Sequence, residues 1–197
     1  MLPRRFVYIS TSGVYGDCAG ERVDETRPPR PQTDRAVRRL DAERALSEWG
    51  ARNRFEVVIL RAPGIYAPDR LPTDRIARGI PVLRAEDDVY TNHIHADDLA
   101  AIVVAALESP QAAGVYNASD DSATRMGDWF DRVADHAGLA RPPRISRAEA
   151  SQRVPAELLS FMSESRRLSN ERMKAELGVR LRYPTVAEGL ASSEIAA

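Results

Sequence analysis

Three consecutive hydroxyl side chains follow a short apolar run near the start of the sequence: Ser10, Thr11 and Ser12. The run at residues 6–9, Phe-Val-Tyr-Ile, has the β-branched and aromatic composition of a buried strand. Gly13 and Gly16 then allow the backbone to turn sharply. Ligands of open α/β sheets bind beyond the carboxyl ends of the strands, so these hydroxyls are well placed for chemistry. The alternative is a polar turn without a chemical role.

A second candidate loop follows the next apolar run. Residues 55–60 predict a strand buried on both faces, and the prolines and glycine of residues 61–68 stiffen the loop after it. An apolar stripe between the two strands predicts a helix with Thr33 or Asp34 as N-cap and Gly50 as C-cap. A helix between two apolar strands forms a βαβ unit with parallel strands. Both loops should therefore leave the same edge of the sheet.

The rest of the chain continues this alternation up to about residue 140. Residues 87–95 and 114–118 are predicted strands, and Asp97 is the predicted N-cap of a buried helix. A proline pair then interrupts the chain, and the segments after it are helical and basic. We therefore predict an α/β fold with a small helical cap at the C-terminal end.

Composition excludes several classes of function. The 197 residues are 43% hydrophobic and 29% charged, which is typical of a globular domain. The formal net charge of −1 favours neither nucleic acid nor a membrane surface, and no apolar run approaches the length of a membrane span. The single cysteine, Cys18, excludes an intramolecular disulfide and is consistent with a reducing cytoplasm.

Two histidines at strand spacing, His93 and His95, precede Asp97 and Asp98. Side chains two residues apart on a strand point the same way, so this group could bind a metal ion. Hydrogen bonding at a strand–helix junction is the more common role of such residues. We therefore predict no metal site.

Four motifs in this order resemble the extended short-chain dehydrogenases/reductases, the NAD-dependent epimerase/dehydratase family. They are Ile-Ser-Thr-Ser-Gly-Val-Tyr-Gly at 9–16, Leu-Arg-Ala-Pro-Gly-Ile-Tyr at 60–66, His-Ile-His-Ala-Asp-Asp-Leu-Ala at 93–100 and Val-Tyr-Asn-Ala at 115–118. Each motif is weak alone, but four in order make the resemblance specific. It extends over nearly the whole chain.

The resemblance implies a partial Rossmann-type parallel sheet with a small helical C-terminal substrate lobe. Residues 1–140 would be the C-terminal part of an NAD(P)-binding domain, and residues 141–197 a helical substrate-binding cap. The implied activity is that of an NAD(P)-dependent oxidoreductase or epimerase acting on a small carbonyl or sugar-like substrate. The implied cofactor is NAD or NADP, and the implied partners are a small molecule and, as an open alternative, a second copy in a homodimer.

The family's catalytic set is a Ser or Thr after this strand and a Tyr and a Lys four residues apart on the following helix. Thr11 takes the Ser/Thr place, with Ser12 as the second candidate. A hydroxyl there can polarise a substrate carbonyl during hydride transfer. The implied cofactor-binding residues around the nicotinamide are Ser10, Arg39, Pro63, Gly64 and Tyr66.

The first departure from this pattern is that the tyrosine that would act as the general base is missing, together with its lysine. Residues 33–39 contain neither tyrosine nor lysine, and Arg35 and Arg39 stand in the two places. Arg39 could hold a ribose or phosphate through its forked guanidinium, whereas Arg35 cannot act as a base because it stays protonated. Tyr15 and Tyr66 are candidate substitutes, although a packed, hydrogen-bonded tyrosine is the more common case.

The second departure concerns the turn that would bind the phosphates of the cofactor. None of the 11 glycines forms the G-x-G-x-x-G turn that cradles a pyrophosphate, so the chain is predicted to be an N-terminally truncated copy with an exposed sheet edge. A non-catalytic dinucleotide-binding or structural module, or a remnant, is therefore the alternative to an enzyme. Arg166 and Arg167 lie where the family's substrate lobe meets phosphates or carboxylates, and a solvated basic face is the alternative there.

Overall fold

The structure, a computed structural model, describes residues 3–192 apart from the side chain of Glu157. The strands in this range are β1 (Arg5–Thr11), β2 (Arg22–Val23), β3 (Glu56–Ala62), β4 (Gly64–Tyr66), β5 (Val82–Leu83), β6 (Tyr90–Thr91), β7 (His93–His95), β8 (Gly114–Asn117), β9 (Thr124–Arg125), β10 (Arg144–Ile145) and β11 (Arg167–Leu168). The helices are α1 (Asp34–Asn53), α2 (Thr73–Ala77), α3 (Ala96–Glu108), α4 (Met126–His136), α5 (Arg147–Arg153), α6 (Ala156–Met162), α7 (Glu171–Leu177) and α8 (Val186–Ala191). Two single 3₁₀ turns occupy Ser12–Tyr15 and Pro68–Arg70.

The central sheet has the strand order β1–β3–β8, with every pair parallel. Thr11 lies opposite Ala62, and Arg61 lies opposite Asn117, so the carboxyl ends of the three strands meet at one edge. Helix α1 covers one face, and α3 and α7 cover the other, where apolar side chains of β3 and β8 form a buried core. The predicted α/β fold and parallel βαβ unit are confirmed.

Short two-stranded sheets, separate from the central one, pair distant parts of the chain. Strand β10 pairs in parallel with β5, and β11 pairs in parallel with β2. A second buried core combines residues from both sides of residue 140, with Trp129 and Phe130 of α4 packed among residues of α6 and α8. The division of the chain at residues 140/141 into two domains stays a prediction.

Helix α1 begins as the sequence predicts but ends later. The Thr33 hydroxyl accepts the backbone N–H of Ala36 at 3.2 Å, which makes Thr33 the N-cap. The predicted C-cap, Gly50, is wrong: the helix continues to Asn53, and Arg54 ends it in the left-handed conformation with φ of 58°. Gly50 instead allows the helix to approach β3, because a Cβ there would lie 2.6 Å from Cγ2 of Val57.

Two local predictions near the middle of the chain also need correction. The single strand predicted over residues 87–95 is two short strands interrupted at Asn92, because the Asn92 side chain binds the backbone of Arg166 and Leu168. Asp97 is not the N-cap of α3. His95 is the cap, and its Nδ1 accepts the backbone N–H of Asp97 at 3.2 Å.

The outer edge of β1 pairs with no strand in the part of the chain that the structure describes. Ile9 on this strand is 41% exposed, which agrees with the predicted open apolar edge. None of the helices within residues 3–192 is long and apolar enough to cross a membrane.

The close approach at Gly50 predicts a measurable cost of a single methyl group. Gly50→Ala should lower the free energy of unfolding by about 2 kcal/mol, because overpacking against Val57 outweighs the better helix propensity of alanine. Urea denaturation measures the change. In a Val57→Ala background the same substitution should cost clearly less, and a stabilised Gly50→Ala variant would contradict this account.

Candidate functional site

A cavity of about 210 Å³ opens at the carboxyl end of β1. Its walls come from the first strand and its turn, from α1, from the loop after β3, from β6 and from the segment around α6. The lining residues are Thr11, Ser12, Gly13, Arg35, Pro63, Gly64, Tyr90, Thr91, Asn92, Met126, Phe161, Glu164 and Arg166.

Two predicted catalytic hydroxyls lie in this wall. The Thr11 hydroxyl oxygen accepts the backbone N–H of Gly13 at 3.2 Å, which orients it at the start of the 3₁₀ turn and leaves its proton able to donate. Ser12 is 4% exposed, and its hydroxyl makes no hydrogen bond within residues 3–192. Pro63 and Gly64 form the neighbouring wall, and Gly64 packs against the ring of His93. The structure thus brings together four of the seven predicted site residues.

The other three predicted residues lie elsewhere. Ser10 is buried on the opposite face of β1 and donates a hydrogen bond to Glu43 at 2.5 Å. Arg39 is exposed on α1 and donates to the hydroxyl of Tyr8 at 2.9 Å. Tyr66 is 2% exposed in the second core and is not among the residues that line the cavity.

Both tyrosines considered as substitute bases are packed in the interior. Tyr15 donates a hydrogen bond to Oδ1 of Asn117 at 2.8 Å, and burial raises the pKa of its phenol. The ring of Tyr66 stacks edge-on against His95 and Trp129, and burial, reinforced by nearby Asp120, raises its pKa as well. Each phenol therefore stays protonated at neutral pH.

Arg35 projects into the cavity from the first turn of α1. The centre of its guanidinium lies 4.5 Å from the centre of the Phe161 ring on α6, a cation–π contact between two walls. Within the described residues Arg35 makes no hydrogen bond and no ion pair. The sequence placed this arginine where the family has its tyrosine, and the structure gives it an exposed position beside Thr11 and Ser12.

The far wall of the cavity carries a second guanidinium, that of Arg166. It donates to the backbone oxygen of Gly16 at 2.7 Å and to Glu164 at 2.9 Å, so its charge is paired. Its buried Nε has no acceptor among residues 3–192. Sequence reasoning noted Arg166 and missed Glu164 and Phe161, because only tertiary packing brings the segment after α6 to the end of β1.

A buried ionic network supports the cavity from beneath. Glu43 of α1 and Arg61 of β3 are 4% and 5% exposed at their side chains, and Nη2 of Arg61 donates to Oε2 of Glu43 at 2.7 Å. Ser10 donates to the other carboxylate oxygen, and the Arg61 guanidinium lies 4.7 Å from the centre of the Tyr15 ring. The network thus ties α1 to the carboxyl ends of β1 and β3.

Two further buried titratable residues are His93, which lies close to Gly64, and its neighbour Asp120. Burial lowers the pKa of His93 to about 3 and raises the pKa of Asp120 to about 7. The backbone N–H of Asp120 donates to the carbonyl of His93 at 2.8 Å, so the two residues are neighbours. Within residues 3–192 no three His, Cys, Asp or Glu side chains are grouped so that they could hold a metal ion.

The sheet is of the open parallel α/β type, which binds ligands beyond the carboxyl ends of its strands, and the cavity lies at that edge. A model of the NAD dependent epimerase/dehydratase family matches residues 2–119, and this chain belongs to that family. The family comprises NAD(P)-dependent epimerases, dehydratases and reductases.

Individual relatives agree with this assignment. The mouse dTDP-D-glucose 4,6-dehydratase is 26% identical over 57% of this chain and 34% of its own length. A conserved protein of unknown function from Silicibacter pomeroyi has a TM-score of 0.81 at 34% identity, over 95% of this chain and 64% of that one. The Thermus thermophilus UDP-glucose 4-epimerase, solved in complex with NAD, has a TM-score of 0.72 at 26% identity, over 95% and 61%. The chain therefore spans about a third of the first curated relatives and less than two thirds of these solved structures.

The buried ion pair predicts that a substitution of one partner destabilises the fold strongly, and that replacing both partners costs less than the two single changes together. Glu43→Gln should lower the free energy of unfolding by about 3 kcal/mol, because it leaves the Arg61 charge buried without a carboxylate. Replacing both residues, as Glu43→Leu with Arg61→Met, should cost less than the sum of the single changes. Urea denaturation provides the measurement, and Glu48→Gln on the exposed face of α1 is the control, expected within about 0.5 kcal/mol.

The His93 and Asp120 shifts predict opposing pH dependences of stability. Between about pH 4 and 7 the folded chain keeps a proton on Asp120 that the unfolded chain loses, so this residue makes stability fall as pH rises. Between about pH 3 and 6.5 the unfolded chain holds a proton on His93 that the folded chain lacks, so His93 makes stability rise with pH.

Single substitutions should separate these two contributions in urea unfolding across pH 4–7. Asp120→Asn should gain stability relative to the unsubstituted protein as pH rises, and His93→Gln should lose it, each by up to about 1.4 kcal/mol per pH unit. Asp128→Asn, on the exposed surface of α4, is the control. Two variants with the same sign of pH dependence would contradict the assignment.

Proposed function

We propose that this chain forms the nicotinamide-side part of an NAD(P)-dependent oxidoreductase or epimerase site, with the substrate in the cavity at the end of β1. The observation that carries this proposal is the pair of hydroxyls, Thr11 and Ser12, at the carboxyl end of a parallel strand and facing the cavity. In our proposal one of them donates a hydrogen bond to the reacting oxygen of the substrate, and the nicotinamide, when bound, supplies or accepts the hydride at the adjacent carbon.

Part of the predicted nicotinamide set supports the proposal: Pro63 and Gly64 line the cavity, whereas Arg39 lies on α1 outside its lining. The guanidinium of Arg39 is exposed and has a single hydrogen-bond partner, the hydroxyl of Tyr8, so N–H groups remain for a ribose or a phosphate. Pro63 and Gly64 offer a backbone wall to a flat ring, whereas Ser10 holds Glu43 and acts on the site only through position. We assign no contact to the adenosine half, because the sequence lacks a glycine-rich phosphate turn.

The proton relay of this site has no tyrosine at the usual place. Arg35 lies there, and a guanidinium does not release its proton at physiological pH. This observation favours the second candidate function, a dinucleotide-binding module without turnover. Location in the cytoplasm and assembly as a homodimer stay predictions.

The test of the cofactor proposal is a fluorescence titration with NADH and with reduced nicotinamide mononucleotide. We expect dissociation constants that agree within about threefold, because the adenosine half should add little without its phosphate turn. Arg39→Gln should weaken both about tenfold, as expected for loss of one charged contact, and Arg38→Gln on the same helix should leave both unchanged. No binding of either compound at millimolar concentration would end the proposal.

Hydride exchange separates the enzyme from the non-catalytic module. With a panel of carbonyl compounds, Thr11→Val or Ser12→Ala should lower turnover by about 10- to 100-fold while cofactor affinity stays constant. A chain that binds NADH and exchanges hydride with no member of the panel would be the binding module instead.

A further inference from the structure

The charges of the cavity do not balance. Among the described residues, its charged wall residues are two arginines and one glutamate. Glu164 is paired with Arg166 at 2.9 Å, whereas Arg35 has neither an ion pair nor a hydrogen bond within residues 3–192. An unpaired guanidinium beside an otherwise neutral surface attracts an anion, and its planar fork matches a carboxylate with two parallel hydrogen bonds.

The polar inventory of the walls favours a ligand that accepts hydrogen bonds. Both atoms of the Asn92 amide are already engaged, its Nδ2 with the carbonyl of Arg166 and its Oδ1 with the N–H of Leu168. The Glu164 carboxylate is engaged by Arg166. Hydrogen-bond donors remain available on Arg35, on Nε of Arg166 and on the hydroxyls of the lining residues Thr11, Ser12, Tyr90 and Thr91, so free donors outnumber free acceptors in the described walls.

The remaining walls are apolar and in part aromatic. Phe161 is 44% exposed, one of the few large apolar side chains so exposed in the part of the chain that the structure describes, and Met126 and Pro63 also line the cavity. The Phe161 ring lies next to the Arg35 guanidinium, so an apolar surface and a positive charge are adjacent in the cavity. A ligand with a planar apolar body and an anionic end would contact both.

We propose that the cavity binds a small organic carboxylate whose carboxylate pairs with Arg35 and whose planar apolar body packs on Phe161. Arg35 is then a specificity-determining residue that selects the substrate, in the place where the family has its tyrosine. This inference rests on the proposed function only in that it names the substrate class of the same cavity.

The experiment compares cinnamate with its neutral isostere cinnamamide by saturation-transfer NMR and calorimetry on the full chain. We expect cinnamate to bind at least tenfold more tightly than the amide, and this preference to weaken as salt is added, since it comes from an ion pair. Arg35→Gln should remove the preference, and Phe161→Ala should weaken both compounds about equally. Arg38→Gln, an exposed arginine on the same helix, is the matched control, and thermal unfolding checks that each variant is folded.

Four outcomes would overturn the proposal: equal affinity for acid and amide, an equal loss in Arg35→Gln and Arg38→Gln, no binding of cinnamate at millimolar concentration, or tighter binding of phenyl phosphate than of cinnamate. The NADH titration is run separately on the same samples. Cinnamate binding without NADH binding would leave this inference standing while the proposed function fails, and the reverse result would do the opposite.

Discussion

The buried ion pair between Glu43 and Arg61 is the constraint on which the cavity depends. Two charged side chains with almost no exposure are tolerated only when their hydrogen-bonding capacity is satisfied, and here Ser10 supplies the additional bond. These three residues come from a helix and two neighbouring strands. Since the pair has one favourable geometry, it fixes α1 in register with the carboxyl ends of β1 and β3, and so fixes Arg35 relative to Thr11.

The same polar layer extends across the sheet to the C-terminal part of the chain. Arg61 lies against the ring of Tyr15, Tyr15 donates to Asn117, and the Asn117 amide donates to the carbonyls of Val23 and Ser169. Ser169 directly follows β11, and the segment just before that strand carries Glu164 and Arg166. A cation–π contact and a series of hydrogen bonds therefore connect the floor of the cavity to its far wall, so the site is held as one unit.

The elements predicted correctly from the sequence are those determined by residues close together in the chain. Apolar runs placed β1 and β3, an apolar stripe and the Thr33 cap placed α1, and hydroxyls directly after a strand placed Thr11 and Ser12 in the cavity. The C-cap prediction at Gly50 was wrong because glycine marks both helix ends and close approaches, and only the packing of Val57 distinguishes them.

The residues of the far wall could not be predicted from the sequence, for a different reason. Phe161 and Glu164 reach the cavity through pairings such as β11 with β2, which join residues more than 140 positions apart and leave no periodic signal. Tyr66 illustrates the converse. Tyr66 lies within the loop predicted over residues 61–68, yet it belongs to strand β4 and its ring packs in the second core.

The two long-range parallel ladders bear on how the chain folds during synthesis. Strand β2 leaves the ribosome well before its partner at residues 167–168, and β5 leaves it before its partner β10. Contacts of such high sequence separation close late, since the entropy of the intervening loops must be lost before they form. The nascent polypeptide would therefore hold its three-stranded sheet before it holds a ligand cavity, and the synthesis of residues 144–168 would complete the binding surface.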